Sequence, residues 1–163
     1  MRNRVWQKNL EVLEKMSSGW EMELKEKFYQ KKEEYIERAQ IAVRLENTYS
    51  GKKISSVESQ GKKYYLAGKY NPDGMIKRRV QKVKDSDFGT VIVVIGFSDG
   101  RLLRELINEV SEDVVIIVYE PSIDIFLHTM QEYDVSDIFE RKNSFIRPPV
   151  SNIDQMAIVS ALN

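Results

Sequence analysis

The stretch Thr90-Val-Ile-Val-Val-Ile95, followed directly by Gly96-Phe-Ser-Asp-Gly100, decides the fold of this chain. An unbroken β-branched run of this kind is typical of a strand buried on both faces of a parallel sheet. A second run, Val114-Val-Ile-Ile-Val-Tyr119, ends at Glu120-Pro121, and Ser144-Phe-Ile146 forms a third. Helical patterns separate the three runs, so we predict right-handed crossovers and a parallel sheet.

The segments between these runs have helical spacing and recognisable start signals. Leucines at 102, 103 and 106 follow Gly100, and Ser122 is a good N-cap for a helix containing Phe126 and Met130. Residues 134–139 are predicted to form a short helical turn. The region from about Thr90 to Pro148 is therefore a β-α-β-α-β unit.

The N-terminal part of the chain is predicted to be helical and charged. Trp6, Leu10 and Leu13 recur at helical spacing, and a second helix is expected from about Trp20 to Tyr49. Its narrow apolar stripe, which includes Leu24 and Phe28, suits packing on a partner element or a second subunit. Dimerisation through residues 20–49 is therefore one of the open alternatives.

A β-hairpin and a basic helix are expected between these two parts. Apolar and aromatic residues flank Ser59-Gln-Gly-Lys62, a pattern typical of a hairpin turn. Asn71 is a good N-cap and Pro72 suits the first position of a helix over about 72–84. This helix contains five basic residues, namely Lys77, Arg78, Arg79, Lys82 and Lys84.

The expected fold class is α/β, with a partial Rossmann-like three-layer parallel sheet preceded by long charged helices and a β-hairpin. We divide the chain into a helical extension (1–52), the hairpin with the basic helix (53–85) and the Rossmann-like unit (86–163). Three strands make a small open sheet, and the apolar stretch 151–163 has no stop signal. The unit is therefore expected to be truncated at its C-terminus, and the sequence does not show whether Asn163 is a natural end.

Composition excludes several classes of site and partner. The chain contains no cysteine and one histidine, which excludes disulfides, thiolate metal sites and a histidine-rich zinc site. No apolar run approaches the roughly 18 residues that a membrane span needs, and the N-terminus does not resemble a secretory signal. We therefore expect a cytoplasmic protein without a membrane partner.

The net charge of zero hides an asymmetry along the chain. Residues 1–52 carry 11 basic and 9 acidic side chains, residues 53–85 carry 9 and 3, and residues 86–163 carry 5 and 13. The basic middle segment has two interpretations: it contacts phosphates or an acidic protein surface, or it faces the acidic segment and solvent. No nucleic-acid-binding module is recognisable, so nucleic acid is not an expected partner.

The candidate binding site combines Gly96, Ser98, Asp99 and Gly100 with Glu120. Glycines at the end of the first strand allow a tight turn, and the following helix would direct free N–H groups toward a ligand. An acid at the end of the second strand lies where such folds bind ribose hydroxyls. Asp99 would repel a phosphate, so S-adenosylmethionine suits this turn better than a dinucleotide. The alternative is that the glycines serve turn geometry and Glu120 only caps a strand end.

Other polar residues are expected to be structural. No serine or cysteine nucleophile with an orienting acid is recognisable near His128, so a half-buried structural histidine is predicted. Asp134 and Asp137 lie three residues apart on one face of a turn, where solvated charge is preferred over a metal site. No metal and no catalytic residue are therefore expected in this chain.

Five stretches together resemble a known family. In chain order they are Asn9-Leu-Glu-Val-Leu13, Gly68-Lys-Tyr-Asn-Pro72, Val93-Val-Ile-Gly-Phe-Ser-Asp-Gly100, Tyr119-Glu-Pro-Ser122 and Tyr133-Asp-Val-Ser-Asp-Ile-Phe139. Their order is similar to that in the N-terminal region of the motility accessory factor (Maf) proteins, which are bacterial glycosyltransferases associated with flagella. In that family the neighbouring domain is like a 6-hydroxymethylpterin diphosphokinase.

The resemblance implies a cytoplasmic parent enzyme that moves a nonulosonic acid from its CMP-activated form onto Ser or Thr of flagellin. The family's transferase domain follows the matched region, so the implied role of this chain is a non-catalytic N-terminal domain. Its implied partners are flagellin and the C-terminal transferase domain. The turn departs from the family's more glycine-rich pattern at Ser98, Asp99 and Arg101, so the resemblance does not imply nucleotide binding there.

Three functions follow from these observations. The first is the structural or acceptor-docking domain of a Maf-type glycosyltransferase, with the helix at 72–84 as the docking surface. The second is a Rossmann-type unit that binds S-adenosylmethionine, a CMP-sugar or another nucleotide, within a methyltransferase-like enzyme. The third is the dimerisation module at 20–49. The sequence leaves the cofactor unknown.

Overall fold

The computed structural model describes residues 2–15, 30, 33, 42–85 and 89–147. The helices and strands, in chain order, are α1 (Arg2–Lys15), β1 (Ala42–Asn47), β2 (Lys53–Ser59), β3 (Lys62–Tyr65), α2 (Pro72–Asp85), β4 (Val91–Ile95), α3 (Arg101–Glu109), β5 (Val115–Tyr119), α4 (Ile123–Glu132), α5 (Ser136–Glu140) and β6 (Ser144–Arg147). Together these helices and strands form a mixed α/β structure with two three-stranded sheets.

The first sheet is antiparallel, with strand order β1-β2-β3. The predicted hairpin is confirmed, and its turn has Gln60 at φ 52° and Gly61 at φ 70°. Positive φ at both central residues is typical of the tight turns that match strand twist. β2 and β3 are therefore joined by the turn that the sequence predicted around Gly61.

The predicted helix from Trp20 to Tyr49 is wrong at its C-terminal end, because residues 42–47 form β1. Val43 pairs with Val57 and Leu45 with Ser55, so the segment adds a third strand to the sheet, on the side of β2 that β3 does not occupy. Val43-Arg-Leu-Glu46 has the alternation of a strand. Since the middle strand β2 is buried at Ile54, Ser55, Ser56 and Val57, pairing with β1 satisfies backbone groups that would otherwise be unpaired.

The second sheet confirms the predicted parallel arrangement, with strand order β4-β5-β6. Ile95 lies beside Tyr119 in the register, so β4 and β5 end side by side. The turn that begins at Gly96 and the turn that begins at Glu120 are therefore neighbours at the carboxyl edge of the sheet. This register sets the geometry of the candidate site.

Burial of β4 on both faces, which the sequence predicted, is not seen in the part of the chain that the structure describes. Ile92 and Val94 are buried, but Val91, Val93 and Ile95 are 50%, 44% and 59% exposed. The described helices share one core with the inner face of the sheet, and β4 is an edge strand in the part of the chain that the structure describes. The β-branched run therefore predicted the strand correctly, but it did not determine whether one or both faces of that strand are covered.

The hydrophobic core lies between the parallel sheet and the helices. It includes Leu10 and Leu13 from α1, Ile76 and Val80 from α2, and Phe97 from the turn after β4. The segments before and after residue 86 thus share one core. The predicted caps are also present: Asn71 Oδ1 accepts from the backbone N–H of Gly74 at 2.9 Å, and Ser122 Oγ accepts from that of Ile125 at 3.3 Å.

Some sequence predictions fall outside the described residues. These are the rest of the second helix apart from Gln30 and Glu33, which are helical, the dimerisation stripe at Leu24 and Phe28, and the apolar stretch 151–163. Among the helices that the structure describes, none is long and apolar enough to cross a bilayer.

Candidate functional site

A cavity of about 400 Å³ lies at the carboxyl edge of the parallel sheet. Its walls come from the end of β3, from α2, and from the two turns that follow β4 and β5. In open parallel sheets this edge is where ligands bind. Four of the five predicted site residues line the cavity, namely Gly96, Ser98, Asp99 and Glu120.

The fifth, Gly100, packs into the core. It has φ 76° and forms the N-cap of α3 without a side-chain cap. A Cβ atom at this position would lie 2.9 Å from Val135 Cγ1 and 3.0 Å from Ile138 Cδ1. A glycine at position 100 therefore allows both the positive φ of the turn and the close approach of the turn to Val135 and Ile138.

Most of the N–H groups of the turn after β4 have acceptors within the protein. Gly96 donates to the Tyr119 carbonyl at 2.7 Å, and Gly100 donates to the Phe97 carbonyl at 3.1 Å. Phe97 donates to the Glu120 carboxylate at 2.8 Å, and Arg101 donates to Asp99 Oδ1 at 3.2 Å. A phosphate cradle needs such groups free and pointing at the ligand. These four N–H groups are therefore not available to a phosphate in the way that a dinucleotide fold requires.

Glu120 holds the two neighbouring turns together. Its carboxylate is 2% exposed. Oε2 accepts from the backbone N–H groups of Phe97 at 2.8 Å and Ser98 at 3.4 Å, while Oε1 accepts from Ser122 at 2.9 Å. Burial raises the pKa of this carboxyl above its ordinary value, and the three donors oppose that rise. These contacts support the alternative in which Glu120 caps the strand end.

Ser98 links the turn to the hairpin and to α4. It has φ 51°, in the left-handed region. Its Oγ donates to the Leu66 carbonyl at 3.2 Å, and its own carbonyl accepts from Thr129 Oγ1. A serine in this conformation is uncommon, and contacts on both sides hold it there.

Asp99, which is buried, and Arg101, which is partly exposed, form an ion pair with unused hydrogen-bonding atoms. Asp99 is 3% exposed, and its Oδ2 lies 3.4 Å from Arg101 Nε without a hydrogen bond. Arg101 Nη2 donates to the Lys53 carbonyl, whereas Nη1 is buried without an acceptor among the described residues. Burial raises the pKa of Asp99, and the charge of Arg101 opposes the rise.

A polar cluster that the sequence did not reveal lies between β2 and α4. Ser55 Oγ lies 3.0 Å from His128 Nε2 and 2.8 Å from the Tyr133 hydroxyl. No serine nucleophile with an orienting acid was recognisable near His128 in the sequence, and the structure brings Ser55 next to it from 73 positions away. Ser55 is 1% exposed, so the contact joins the antiparallel sheet to α4 and does not present a nucleophile to substrate. The structural role of His128 stays a prediction.

The acidic pair at Asp134 and Asp137 is held by cations from other elements. Lys8 Nζ lies 2.6 Å from Asp134 Oδ2, and Arg104 contacts both oxygens of Asp137 at 2.6 and 2.8 Å. The Arg104 guanidinium lowers the pKa of Asp137. Among the described residues, no group of three potential metal-ligating side chains is present.

Replacing Asp99 by asparagine should change how stability depends on pH. Because the pKa of Asp99 is raised in the folded protein, only the folded state retains the proton between its unfolded and folded pKa values. The contribution of Asp99 to stability is therefore fully present below the unfolded pKa and is lost as pH rises through the folded pKa. Each pH unit in that window changes the free energy of unfolding by about 1.4 kcal/mol.

Urea denaturation at pH 7 and pH 4 of the wild type and Asp99→Asn tests this. The wild type should gain stability relative to the variant at the lower pH, while effects of other carboxylates cancel in the difference. The exposed Asp113→Asn change removes the same charge from the surface and serves as the control. A wild-type advantage that is the same at both pH values would contradict the prediction.

The structure also adds a residue that sequence reasoning did not place at the site. Arg79 of α2 lines the cavity together with residues of the two turns. Its position in a basic helix was evident, but the contact of that helix face with the cavity depends on packing.

No family model matches the chain, and neither the curated proteins nor the solved structures contain a match.

Proposed function

We propose that the chain is a non-catalytic, acceptor-docking domain of a cytoplasmic, Maf-type flagellin glycosyltransferase. The observation that supports this most is the state of Glu120, whose carboxylate accepts three backbone N–H groups. The residues that resemble a nucleotide-binding turn thus build the fold. The alternative, binding of S-adenosylmethionine through this turn, is less well supported because the main N–H donors of the turn already bond within the protein.

The contacts of the five stretches that carry the family resemblance support the same proposal. Asn9 bonds to the backbone around α4, Asn71 caps α2, and Glu120 joins the two turns. Residues 133–139 pack against Gly100 through Val135 and Ile138. Residues that make these contacts serve architecture, which is what a docking domain requires.

The parent enzyme in this proposal transfers a nonulosonic acid from its CMP-activated form to Ser or Thr of flagellin. Its transferase domain follows this chain, and the complete sheet has the three layers of a Rossmann-like fold. The exposed apolar side chains of β4, Val91, Val93 and Ile95, support the presence of a further layer. Covering them would remove apolar surface from water.

The proposed docking surface for flagellin is the exposed side of α2. Lys77, Arg78 and Lys82 are exposed there, whereas Lys84 pairs with Glu109 at 2.6 Å. A group of cations on one helix attracts an acidic protein surface and accelerates association at low salt.

The charge-reversed variant Lys77→Glu/Lys82→Glu should bind flagellin at least tenfold more weakly than the wild type at low salt, because each substitution replaces attraction with repulsion. Biolayer interferometry on immobilised flagellin measures the affinity. Arg4→Glu, on the exposed side of α1, is the matched control and should bind like the wild type.

The proposal also predicts that the chain alone transfers no sugar. Incubation with a CMP-activated nonulosonic acid and flagellin should leave the intact mass of flagellin unchanged. A mass increase would refute the non-catalytic role, and equal binding by the α2 variant and the wild type would refute docking through α2.

A further inference from the structure

The cavity at the carboxyl edge of the parallel sheet has the size of a small-molecule site. Its volume of about 400 Å³ lies within the range of ligand pockets. Apolar side chains form most of its walls, including Leu66, Met75, Leu102 and Ile125. Such walls accommodate the body of an organic ligand, and a few polar groups then fix its orientation.

Asp99 provides a hydrogen-bond acceptor on one wall. The residue lines the cavity, is 3% exposed, and its Oδ2 has no hydrogen bond. Arg101 Nε, at 3.4 Å, neutralises part of its charge without completing a hydrogen bond. A buried polar atom in this state loses its hydration without compensation, and a ligand hydroxyl or amino group would restore the missing bond.

Arg79 provides a cation on the part of the wall that α2 forms. It is exposed on α2 and lines the cavity. A guanidinium suits phosphate and carboxylate groups, to which it can donate two parallel hydrogen bonds. The N–H groups of Gly96, Phe97, Gly100 and Arg101 bond within the protein. Since most donors of the turn are occupied, the Arg79 guanidinium is the cation that the cavity lining offers to an anionic group of the ligand.

We propose that this cavity binds a hydroxyl-bearing organic phosphate of the size of a nucleoside monophosphate. A hydroxyl donates to Asp99 Oδ2, the apolar walls hold the body of the ligand, and the phosphate pairs with Arg79. This arrangement reverses the usual one in such folds, where the phosphate lies at the helix N-terminus beside the first strand. The proposal does not depend on the flagellin-docking role.

Isothermal titration calorimetry of the purified chain with CMP and cytidine, and with AMP and adenosine, tests the proposal. Each nucleotide should bind about tenfold more tightly than its nucleoside, because only the nucleotide has a phosphate for Arg79. Arg79→Ala should remove that difference by weakening nucleotide binding about tenfold while leaving nucleoside binding unchanged. Its neighbour Arg78, which is exposed on the same helix and does not line the cavity, provides the matched control Arg78→Ala.

Asp99→Asn should weaken the nucleotide and the nucleoside equally, since both carry the same hydroxyls. If that variant does not fold, the Arg79 comparison still decides, because Arg79 is exposed and its replacement leaves the core intact. Absence of binding by all four compounds at millimolar concentration would overturn the proposal. Equal losses in Arg78→Ala and Arg79→Ala would also overturn it, since they would indicate general attraction of phosphate to a basic helix.

Discussion

Gly100→Ala is expected to lower the free energy of unfolding by about 3 kcal/mol, a large fraction of the stability of a small protein. Two effects add at this position. Gly100 has φ 76°, where an alanine costs about 1 kcal/mol or more. The new Cβ would also lie 2.9 Å from Val135 Cγ1 and 3.0 Å from Ile138 Cδ1, and such overpacking typically costs about 1–3 kcal/mol. Urea denaturation followed by circular dichroism measures the sum.

Gly61→Ala separates the two effects. Gly61 has φ 70°, but a Cβ there meets nothing within 4 Å. This control should therefore show only the backbone cost of about 1 kcal/mol. The double variant Gly100→Ala/Val135→Ala should be more stable than the sum of its single changes predicts, because shortening Val135 makes room for the new methyl group. Equal effects of Gly100→Ala and Gly61→Ala would contradict the predicted clash.

The elements that the sequence predicted correctly have local signals. The cap at Asn71 acts on Gly74, three residues away, and the hairpin turn requires only Gln60 and Gly61. The runs at 91–95 and 115–119 are strands because β-branched side chains favour extended backbone. Each of these features depends on neighbours within a few positions in the chain.

Features that depend on distant residues were missed or mistaken. β1 is a short alternating segment, and its conformation depends on pairing with β2. The exposure of Val93 depends on which faces of the sheet are covered, which the β-branched run itself does not specify. The same limit applies to long-range contacts such as Ser55 with His128.

The sequence predicted that the turns after β4 and β5 lie side by side, but it did not predict the hydrogen bonds that their residues make. The register of Ile95 with Tyr119 brings the turn after β4 beside Glu120, as the alternation of strands and helices implied. The sequence could not show that the Glu120 carboxylate bonds to Phe97, Ser98 and Ser122, because those bonds depend on the packing of two turns. Nor could it place Arg79 on the cavity, since an exposed helix position has no signal for what it faces.

Asn9→Ala is expected to lower the free energy of unfolding by about 4 kcal/mol. Asn9 is fully buried in α1, and its Nδ2 donates to the Met130 carbonyl at 2.9 Å and the Tyr133 carbonyl at 2.8 Å. Its Oδ1 accepts from the backbone N–H of Val135 at 3.0 Å. Alanine would leave three buried backbone groups without partners, at about 1–3 kcal/mol for each. Guanidinium denaturation measures the loss.

The three bonds of Asn9 explain why the loss should exceed that from ordinary changes on the same helix. They attach α1 to the connection between α4 and α5. Gln7→Ala, at an exposed position of α1, is the matched control and should change stability by less than about 0.5 kcal/mol. Asn9→Asp tests the directions of the bonds, since a carboxylate still accepts from Val135 but repels both carbonyls. That variant should be about as unstable as Asn9→Ala at pH 7, and wild-type stability in either variant would show that Asn9 does not attach α1 to the rest of the core.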